Sequence, residues 1–419
     1  MIKQILATAT FRQSQVTIIS TILNGGLGAL FYLIAARNLG PADFGILSLS
    51  IVIITLVSDM ADIGTNTGLV RFISQNLVRS EEKAYQFLKL SLIIKLVVWA
   101  LTLTLILTFA SAIAEFIFKK PELTMPLRLV AVGTGGALLF SFATSTLQAF
   151  QKFSLWGIVN IITNSIRLGL ILLLSYLMTV NVTNVLISYI VLPFFGFFLT
   201  LFLIPAKKIF QAKNESSVLK ELFSYNIYVA IFSAIAAISA SLDSFLVAAL
   251  VSTKELGFYG LASQLVQVVP QLVSALGIVA APKFSSFKNK VEMLTYFKKL
   301  QLFVGVLSLI GLLIIPVAGY LIPILYGREY QQAVLPFILM FIAMLIFLFS
   351  IPLHISIIFY FARPNIFVWV SLGHLLIIGG LGYLLISNFG IIGAAGTVLV
   401  GTLFNFIAPL FWFIYKLKR

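Results

Sequence analysis

The chain has 419 residues, of which 60% are hydrophobic and only 10% are charged. Soluble domains carry about 25% charged residues, so this composition excludes a water-soluble globular protein. The chain has no cysteine, which excludes disulfides, thiolate metal sites and thiol nucleophiles. The sequence therefore predicts an all-α integral membrane protein.

Long apolar runs fill nearly the whole chain. A helix needs about 20 mostly apolar residues to cross the hydrocarbon core, whereas barrel strands alternate over about 10 residues. The first run follows Arg12 and is long enough to span, so we interpret it as a helix and not as a cleavable signal peptide. Twelve transmembrane helices are predicted, near residues 13–36, 44–70, 90–114, 126–149, 154–178, 184–205, 225–250, 256–281, 300–325, 333–360, 365–387 and 391–415.

The net charge of +15 is unevenly distributed over the connecting segments. Most basic residues fall on one side of the predicted membrane. The other side carries five, namely Arg37, Lys119, Lys120, Lys254 and Arg328. By the positive-inside rule both termini are expected in the cytoplasm. The basic excess is thus a topology signal, and no nucleic-acid partner is predicted.

The longest polar insert, near 207–224, separates six predicted spans from six others. It suggests two six-helix lobes, residues 1–214 and 215–419. Leu39-Gly40 after the first span and Leu256-Gly257 after the seventh occupy matching places, which suggests a parallel pseudo-repeat. Transporters built this way bind cargo between their halves. The alternative is that short outer turns simply favour glycine.

Glycine-rich motifs recur in a fixed order along the chain. They are Ala36-Arg37-Asn38-Leu39-Gly40-Pro41-Ala42-Asp43-Phe44-Gly45, Asp62-Ile63-Gly64 followed by Arg71, Asp243 leading to Leu256-Gly257-Phe258-Tyr259-Gly260, Tyr326-Gly327-Arg328-Glu329-Tyr330, and Gly390-Ile391-Ile392-Gly393-Ala394-Ala395-Gly396. With twelve spans, this series resembles the polysaccharide flippases of the multidrug/oligosaccharidyl-lipid/polysaccharide exporter superfamily.

The resemblance implies a MATE-like fold and the export or flipping of lipid-linked sugar intermediates across the bacterial inner membrane, in the manner of O-antigen or capsule flippases. It implies a membrane protein that is not an enzyme, has no cofactor, and works beside lipids and other polysaccharide-assembly proteins. It does not fix the sugar. A teichoic- or teichuronic-acid exporter and a cation-coupled drug antiporter of the same superfamily remain alternatives.

Five ionisable residues lie deep in the predicted spans: Asp59, Asp62, Lys95, Arg167 and Asp243. Such groups cost about 2.5–3.5 kcal/mol each on insertion scales, so each is a candidate functional residue. Arg167 is central in its span, and Lys95 lies nearer the inner side, where its stem could also reach the interface. We expect both cations to bind the pyrophosphate of a lipid-linked sugar, because arginine presents a fixed fork of donors to phosphate.

The three carboxylates are candidates for proton or sodium coupling. Asp59 and Asp62 are three residues apart and share a helix face. They could form an ion site, a counter-charge for Arg167, or a buried ion pair that locks the first bundle. Asp243 is a candidate proton carrier or a hydrogen-bonded packing residue. No metal site is predicted.

Other features favour packing roles or exclude enzymes. His354 and His374 are interpreted as satisfied residues within helices, and Arg128 as an interfacial side chain. Residues 133–136, a Gly-Thr-Gly-Gly run in an apolar helix, indicate helix packing and not a nucleotide site. The short loops, with scattered acids, argue against a polytopic glycosyltransferase or polysaccharide polymerase.

Overall fold

A computed structural model describes residues 9–62, 65–213 and 216–418 of the chain. These residues are helical almost throughout and include no strand. Backbone groups have no water partners inside a bilayer, so a helix, which bonds them internally, is the expected form for apolar runs. The α-helices are Ala9–Ala61, Thr65–Arg79, Glu81–Ala112, Thr124–Ala149, Phe153–Tyr176, Val182–Leu203, Ala206–Gln211, Ser216–Leu250, Thr253–Val266, Val268–Ser286, Lys290–Leu312, Ile315–Tyr326, Val334–Ile355, Asn365–Leu376 and Gly382–Lys418. Short π-helices continue three of them at Ile113–Ile117, Ser356–Tyr360 and Ile377–Leu381, and 3₁₀ turns cover Pro121–Leu123 and Arg328–Ala333.

Within the described residues, nine helices are long and apolar enough to cross a membrane. Two of these contain a glycine whose backbone is not helical, Gly40 (φ 72°) and Gly390 (φ 56°), so each comprises two consecutive helices. The shorter apolar segment Ala234–Leu250 adds a further candidate. This arrangement agrees with the twelve predicted spans, and the chain is a multi-pass membrane protein of the all-α class.

Three predicted spans are interrupted, and in the one at 256–281 the break is the single turn residue Gln267 between Val266 and Val268. The span predicted at 44–70 ends at Ala61, and a new helix begins at Thr65. Asp62 ends the first helix and caps the second: its Oδ2 accepts the backbone N–H of Asn66 at 3.2 Å. Residues 63 and 64 of the Asp-Ile-Gly motif, and the Arg71 side chain, lie outside the described part. The span predicted at 300–325 is split between Leu312 and Ile315, next to Pro316, which has no backbone N–H to continue a helix.

The described chain forms two compact units. The first contains the residues up to Leu39 and those from Ile46 to Ile238, and the second contains Gly40–Gly45 and the residues from Ser239 onward. The turn at Gly40–Gly45 therefore packs as part of the second unit. The lobe boundary at 214/215 remains a prediction, because the compact units are divided further along, within the helix Ser216–Leu250.

Three lysines from predicted inner segments bind the carbonyl ends of helices. Lys89 Nζ donates to the Ala212 carbonyl at 2.7 Å, and Lys152 Nζ donates to the Leu203 carbonyl at 3.1 Å. Lys290 Nζ donates to the carbonyl of Leu417, next to the end of the last helix, at 2.5 Å. Cations at these positions satisfy carbonyls that have no partner within their own helix and face its negative end.

The glycines of the Gly-Thr-Gly-Gly run lie where other helices approach closely. A Cβ at Gly135 would overlap the Trp99 ring, and one at Gly136 would lie 2.9 Å from the Phe194 ring. The Trp99 indole N–H donates to the Ala131 carbonyl at 3.1 Å, on the same helix as the glycines. Small residues allow this approach between membrane helices, so the interpretation as helix packing is confirmed.

Candidate functional site

Lys95 forms an ion pair inside the first unit. Its side chain is completely buried, and its Nζ donates to Asp62 Oδ1, whose side chain is 15% exposed. Ser141 Oγ lies 3.3 Å from the same Nζ, and the Thr65 hydroxyl donates to Asp62 Oδ1 at 2.8 Å. The structure therefore brings Lys95 together with one of the predicted coupling acids. The arrangement matches the sequence-based alternative of a buried ion pair.

Asp59 stands apart from this pair. It is exposed, two residues before the helix ends at Ala61. Arg128 is also exposed, near the beginning of the helix Thr124–Ala149, as expected for an interfacial side chain. Neither side chain has an ion-pair partner among the described residues.

Arg167 lies in a different cluster of the first unit, made of neutral polar and aromatic groups. Its Nη1 donates to Asn164 Oδ1 at 2.9 Å. The guanidinium carbon lies 4.2 Å from the centroid of the Tyr189 ring and 5.9 Å from that of Phe31. No carboxylate of the described chain forms an ion pair with Arg167, and its buried Nε has no hydrogen-bond partner there. The positive charge of Arg167 is therefore not neutralised by an acid, in contrast to that of Lys95.

The sequence did not identify the neighbours of Arg167, which are Asn164, Tyr189 and Phe31. Asn164 is one turn before Arg167 on the helix Phe153–Tyr176 and donates to Asn24 Oδ1 at 3.0 Å. Tyr189 comes from the helix Val182–Leu203. The available signal was the presence of carboxamides inside apolar spans, at a spacing of three residues in the case of Asn164 and Arg167.

Asp243 lies in the second unit and is bonded to a motif residue. The Tyr259 hydroxyl donates to Asp243 Oδ2 at 2.5 Å, and Tyr259 is only 1% exposed. The other carboxylate oxygen, Oδ1, is buried without a hydrogen-bond partner among the described residues. Asp243 therefore combines features of both interpretations, a hydrogen-bonded packing residue and an acid with a free oxygen.

Three of the five glycine motifs meet inside the second unit. The ring of Tyr330 makes edge contacts with the rings of Phe44 and Phe258, at centroid distances of 6.2 and 6.1 Å. A Cβ at Gly257 would overlap the carbonyl of Pro41. Residues 40–45, 256–260 and 326–330 of these motifs thus form one packed cluster.

The histidines have packing environments. His354 Nε2 lies 3.0 Å from the Asn405 carbonyl, and its ring packs edge-on against Phe367 at 5.0 Å. A Cβ at Gly401 would lie 2.8 Å from the His374 ring. The hydrogen bond agrees with the interpretation of His354 as a satisfied residue within a helix, whereas the contact with Gly401 shows only that His374 is closely packed.

A cavity of about 570 Å³ is present in the second unit. Its polar lining consists of the carboxylate of Glu255 and the carboxamides of Gln331 and Gln332, and the remainder is apolar. Glu255 Oε2 already accepts the Ser252 hydroxyl at 2.8 Å. With an acid and no cation in its lining, this cavity does not suit a phosphate group, in contrast to the surroundings of Arg167.

Comparison with known proteins gives a family match and fold matches. Residues 34–335 match the model of a family described as polysaccharide biosynthesis protein. No curated protein matches the sequence. The family match agrees with the resemblance that the glycine motifs carry.

Several solved structures share the fold. An inward-facing multidrug resistance MATE family transporter of the MOP superfamily aligns with a TM-score of 0.75 at 12% identity, over 96% of this chain and 98% of the transporter. The lipid II flippase MurJ in an inward closed conformation aligns with a TM-score of 0.73 at 14% identity, over 96% of this chain and 87% of the flippase. A MOP superfamily transporter from Pyrococcus furiosus aligns with a TM-score of 0.68 at 14% identity, over 99% of this chain and 97% of the transporter. Its binding pocket is described as having reverse polarity.

At these identities the likeness shows the fold alone, and it confirms the predicted MATE-like architecture. These solved structures are of transporters and a flippase.

Proposed function

Because this chain belongs to the family of polysaccharide biosynthesis proteins, we propose that it flips polyprenyl-pyrophosphate-linked oligosaccharides across the bacterial inner membrane. The family and the fold together support a membrane flippase or transporter. The proposal adds the substrate class, the membrane and an orientation with both termini in the cytoplasm. Other polysaccharide-assembly membrane proteins are its proposed partners.

One observation carries the choice of an anionic cargo. Arg167 is held within a membrane helix by a carboxamide and an aromatic ring, with no acid of the described chain to neutralise it. A cation in a medium of low dielectric constant attracts an anion strongly, and arginine matches the oxygens of a phosphate. A pyrophosphate supplies this anion while the polyprenyl tail stays in lipid.

We propose Lys95 as the second cation of this site. Its ammonium group is paired with Asp62, so it contributes to anion binding only in a state in which that pair opens. Opening the pair would leave the Asp62 carboxylate free to take a proton or a sodium ion. Lys95 and Asp62 would then connect cargo binding to ion coupling.

The proposed mechanism is alternating access of two six-helix lobes, residues 1–214 and 215–419. Ion binding at Asp243, or at Asp59 and Asp62, returns the transporter to its inward state. Asp59 is exposed and has no ion-pair partner among the described residues, and Asp243 has one unpartnered oxygen there. No cofactor takes part in this mechanism.

The test of cargo is flipping in proteoliposomes. A fluorescent polyprenyl-pyrophosphate-linked oligosaccharide is incorporated, and wild type, Arg167→Ala, Arg128→Ala and empty vesicles are compared. Arg128→Ala is the matched control because it removes an exposed arginine from another helix of the first unit. We expect Arg167→Ala to abolish flipping and Arg128→Ala to retain it. Normal flipping by Arg167→Ala would exclude the anion site.

The test of coupling uses the acids. Flipping is measured with and without an imposed proton or sodium gradient in wild type, Asp243→Asn and the Asp59→Asn/Asp62→Asn double variant. We expect at least one variant to lose the response to the gradient. An unchanged response in both would show that these carboxylates do not couple transport to an ion.

A cation antiporter is the second candidate. It is favoured by Asp59, an exposed carboxylate at the end of an apolar helix, which could receive a positively charged drug. A cationic dye is therefore tested in the same vesicles. Dye export without sugar-lipid flipping would assign the protein to this class.

A further inference from the structure

The guanidinium of Arg167 is the last member of a short chain of hydrogen bonds. Arg167 Nη1 donates to Asn164 Oδ1 at 2.9 Å, and Asn164 Nδ2 donates to Asn24 Oδ1 at 3.0 Å. All three residues lie in spans of the first unit, on the helices Ala9–Ala61 and Phe153–Tyr176. These hydrogen bonds therefore link Arg167 to a neighbouring helix without any charged partner.

The donors and acceptors in this series of hydrogen bonds fix the orientation of the Asn164 carboxamide. A carboxamide has one accepting end and one donating end, and arginine can only donate. Asn164 must therefore turn its oxygen toward Arg167, and its NH₂ group then meets the accepting oxygen of Asn24. The reverse orientation would place donors against the guanidinium. One end of Arg167 is thereby held in place by a neutral group.

The ring of Tyr189 restrains the same guanidinium from a different direction. The guanidinium carbon lies 4.2 Å from the ring centroid, which is within the range of a cation–π contact. The buried Nε–H has no acceptor among the described residues. An unpartnered buried donor is unfavourable, so the cluster holds a restrained cation that lacks part of its hydrogen bonding.

We propose that Asn164 and Tyr189 are positioning residues that hold the Arg167 guanidinium for a phosphate group of the lipid pyrophosphate. This inference rests on the proposed function. It goes further by naming how the site distinguishes its cargo: neutral supports leave the full charge of Arg167 to the headgroup. Headgroup selectivity should therefore depend on Asn164 being an amide.

The decisive variant is Asn164→Asp, which has nearly the same shape. Its carboxylate would keep the bond to Arg167 and neutralise its charge, so the site would lose its attraction for phosphate. The Asn24 carboxamide would turn its NH₂ group toward the second carboxylate oxygen, because an aspartate can only accept. Asn160→Asp is the matched control. It lies one turn earlier on the same helix, is also partly buried, and bonds the Trp156 carbonyl at 2.8 Å.

Binding is measured in lipid nanodiscs with three sugar-free probes, polyprenyl pyrophosphate, polyprenyl monophosphate and polyprenol. Wild type should bind the pyrophosphate at least about tenfold more tightly than the alcohol. Asn164→Asp should reduce this ratio to near one, and Asn160→Asp should retain it. Tyr189→Leu should lower pyrophosphate affinity about five- to thirtyfold, as expected for loss of a cation–π contact, whereas Tyr189→Phe should not.

The outcomes separate this inference from the proposed function. A wild type that binds the three probes equally would refute the anionic substrate class and with it the inference. A selective wild type with an equally selective Asn164→Asp would refute the positioning role alone. Equal losses of pyrophosphate selectivity in Asn164→Asp and Asn160→Asp would also refute the positioning role, since they would reflect added negative charge in general. If Asn164→Asp does not assemble, equal binding by Tyr189→Leu and Tyr189→Phe refutes the inference.

Discussion

Replacing Gly257 by alanine tests the closest backbone contact among the glycine motifs. A Cβ at Gly257 would overlap the carbonyl oxygen of Pro41, and one at Gly45 would lie 2.7 Å from the Gly257 nitrogen. The obstructing atoms belong to the backbone, so no change of side-chain rotamer can relieve the overlap. The Gly40 turn, with φ of 72°, must shift as a whole.

The expected loss follows from this geometry. Overpacking a well-packed interior costs about 1–3 kcal/mol, and a clash with backbone belongs at the upper end of that range. The greater helix propensity of alanine returns at most about 1 kcal/mol. A net loss of about 2 kcal/mol corresponds to about 4–8 °C in melting midpoint for a folding unit of roughly 150–250 residues.

The assay is thermal unfolding of the purified protein in detergent, followed by intrinsic fluorescence. Gly396→Ala is the matched control, because a Cβ there meets nothing within 4 Å. We expect Gly396→Ala to melt at or slightly above the wild-type temperature and Gly257→Ala to melt clearly below it. A midpoint for Gly257→Ala equal to wild type, or equal shifts in both variants, would refute the reasoning that the motifs pack backbone against backbone.

Three further predictions concern pairs of polar side chains, each measured by the same melting assay. Lys95→Met should destabilise the protein by about 3–5 kcal/mol because it leaves Asp62 without its cation, and adding Asp62→Asn should recover much of the loss; a single variant as stable as wild type would contradict the buried pair. Tyr259→Phe should cost about 1.5–3 kcal/mol by removing the bond to Asp243, so an unchanged midpoint would show that this bond contributes nothing. Lys208→Ala breaks a 2.8 Å pair with Glu81 in which both side chains are more than half exposed. No measurable change is expected there, and a clear drop would mean that this exposed pair matters.

The fold was largely predictable because a bilayer imposes a length on every spanning helix. Apolar runs of about 20 residues identify the spans directly. The exceptions are local. The break after Ala61 needed the capping role of Asp62, and the break before Ile315 needed the effect of Pro316, neither of which interrupts the apolar pattern itself.

The pairing of the embedded charges could not be read from the sequence. In a membrane protein, both the lipid-facing and the interior sides of a helix are apolar, so periodicity does not show which helices are neighbours. Asp59 and Asp62 were predicted as an ion site, a counter-charge for Arg167 or a buried ion pair, and the structure pairs Asp62 with Lys95. The carboxamides of Asn24 and Asn164 were visible as polar residues in spans, but their contact depends on how two helices pack.

The lysines that cap helix ends have a consequence for experiments on membrane insertion. Lys89, Lys152 and Lys290 belong to the predicted charge asymmetry that would direct the chain during insertion, and each also satisfies a terminal carbonyl in the folded protein. Reversing their charge would therefore alter two processes at once: orientation during biogenesis and the electrostatics of finished helix ends. Low yields of such variants would not by themselves report topology. Substitution by glutamine separates the effect on orientation from the effect on the helix end. Its amide can still donate to a carbonyl, but it carries no charge that could direct insertion.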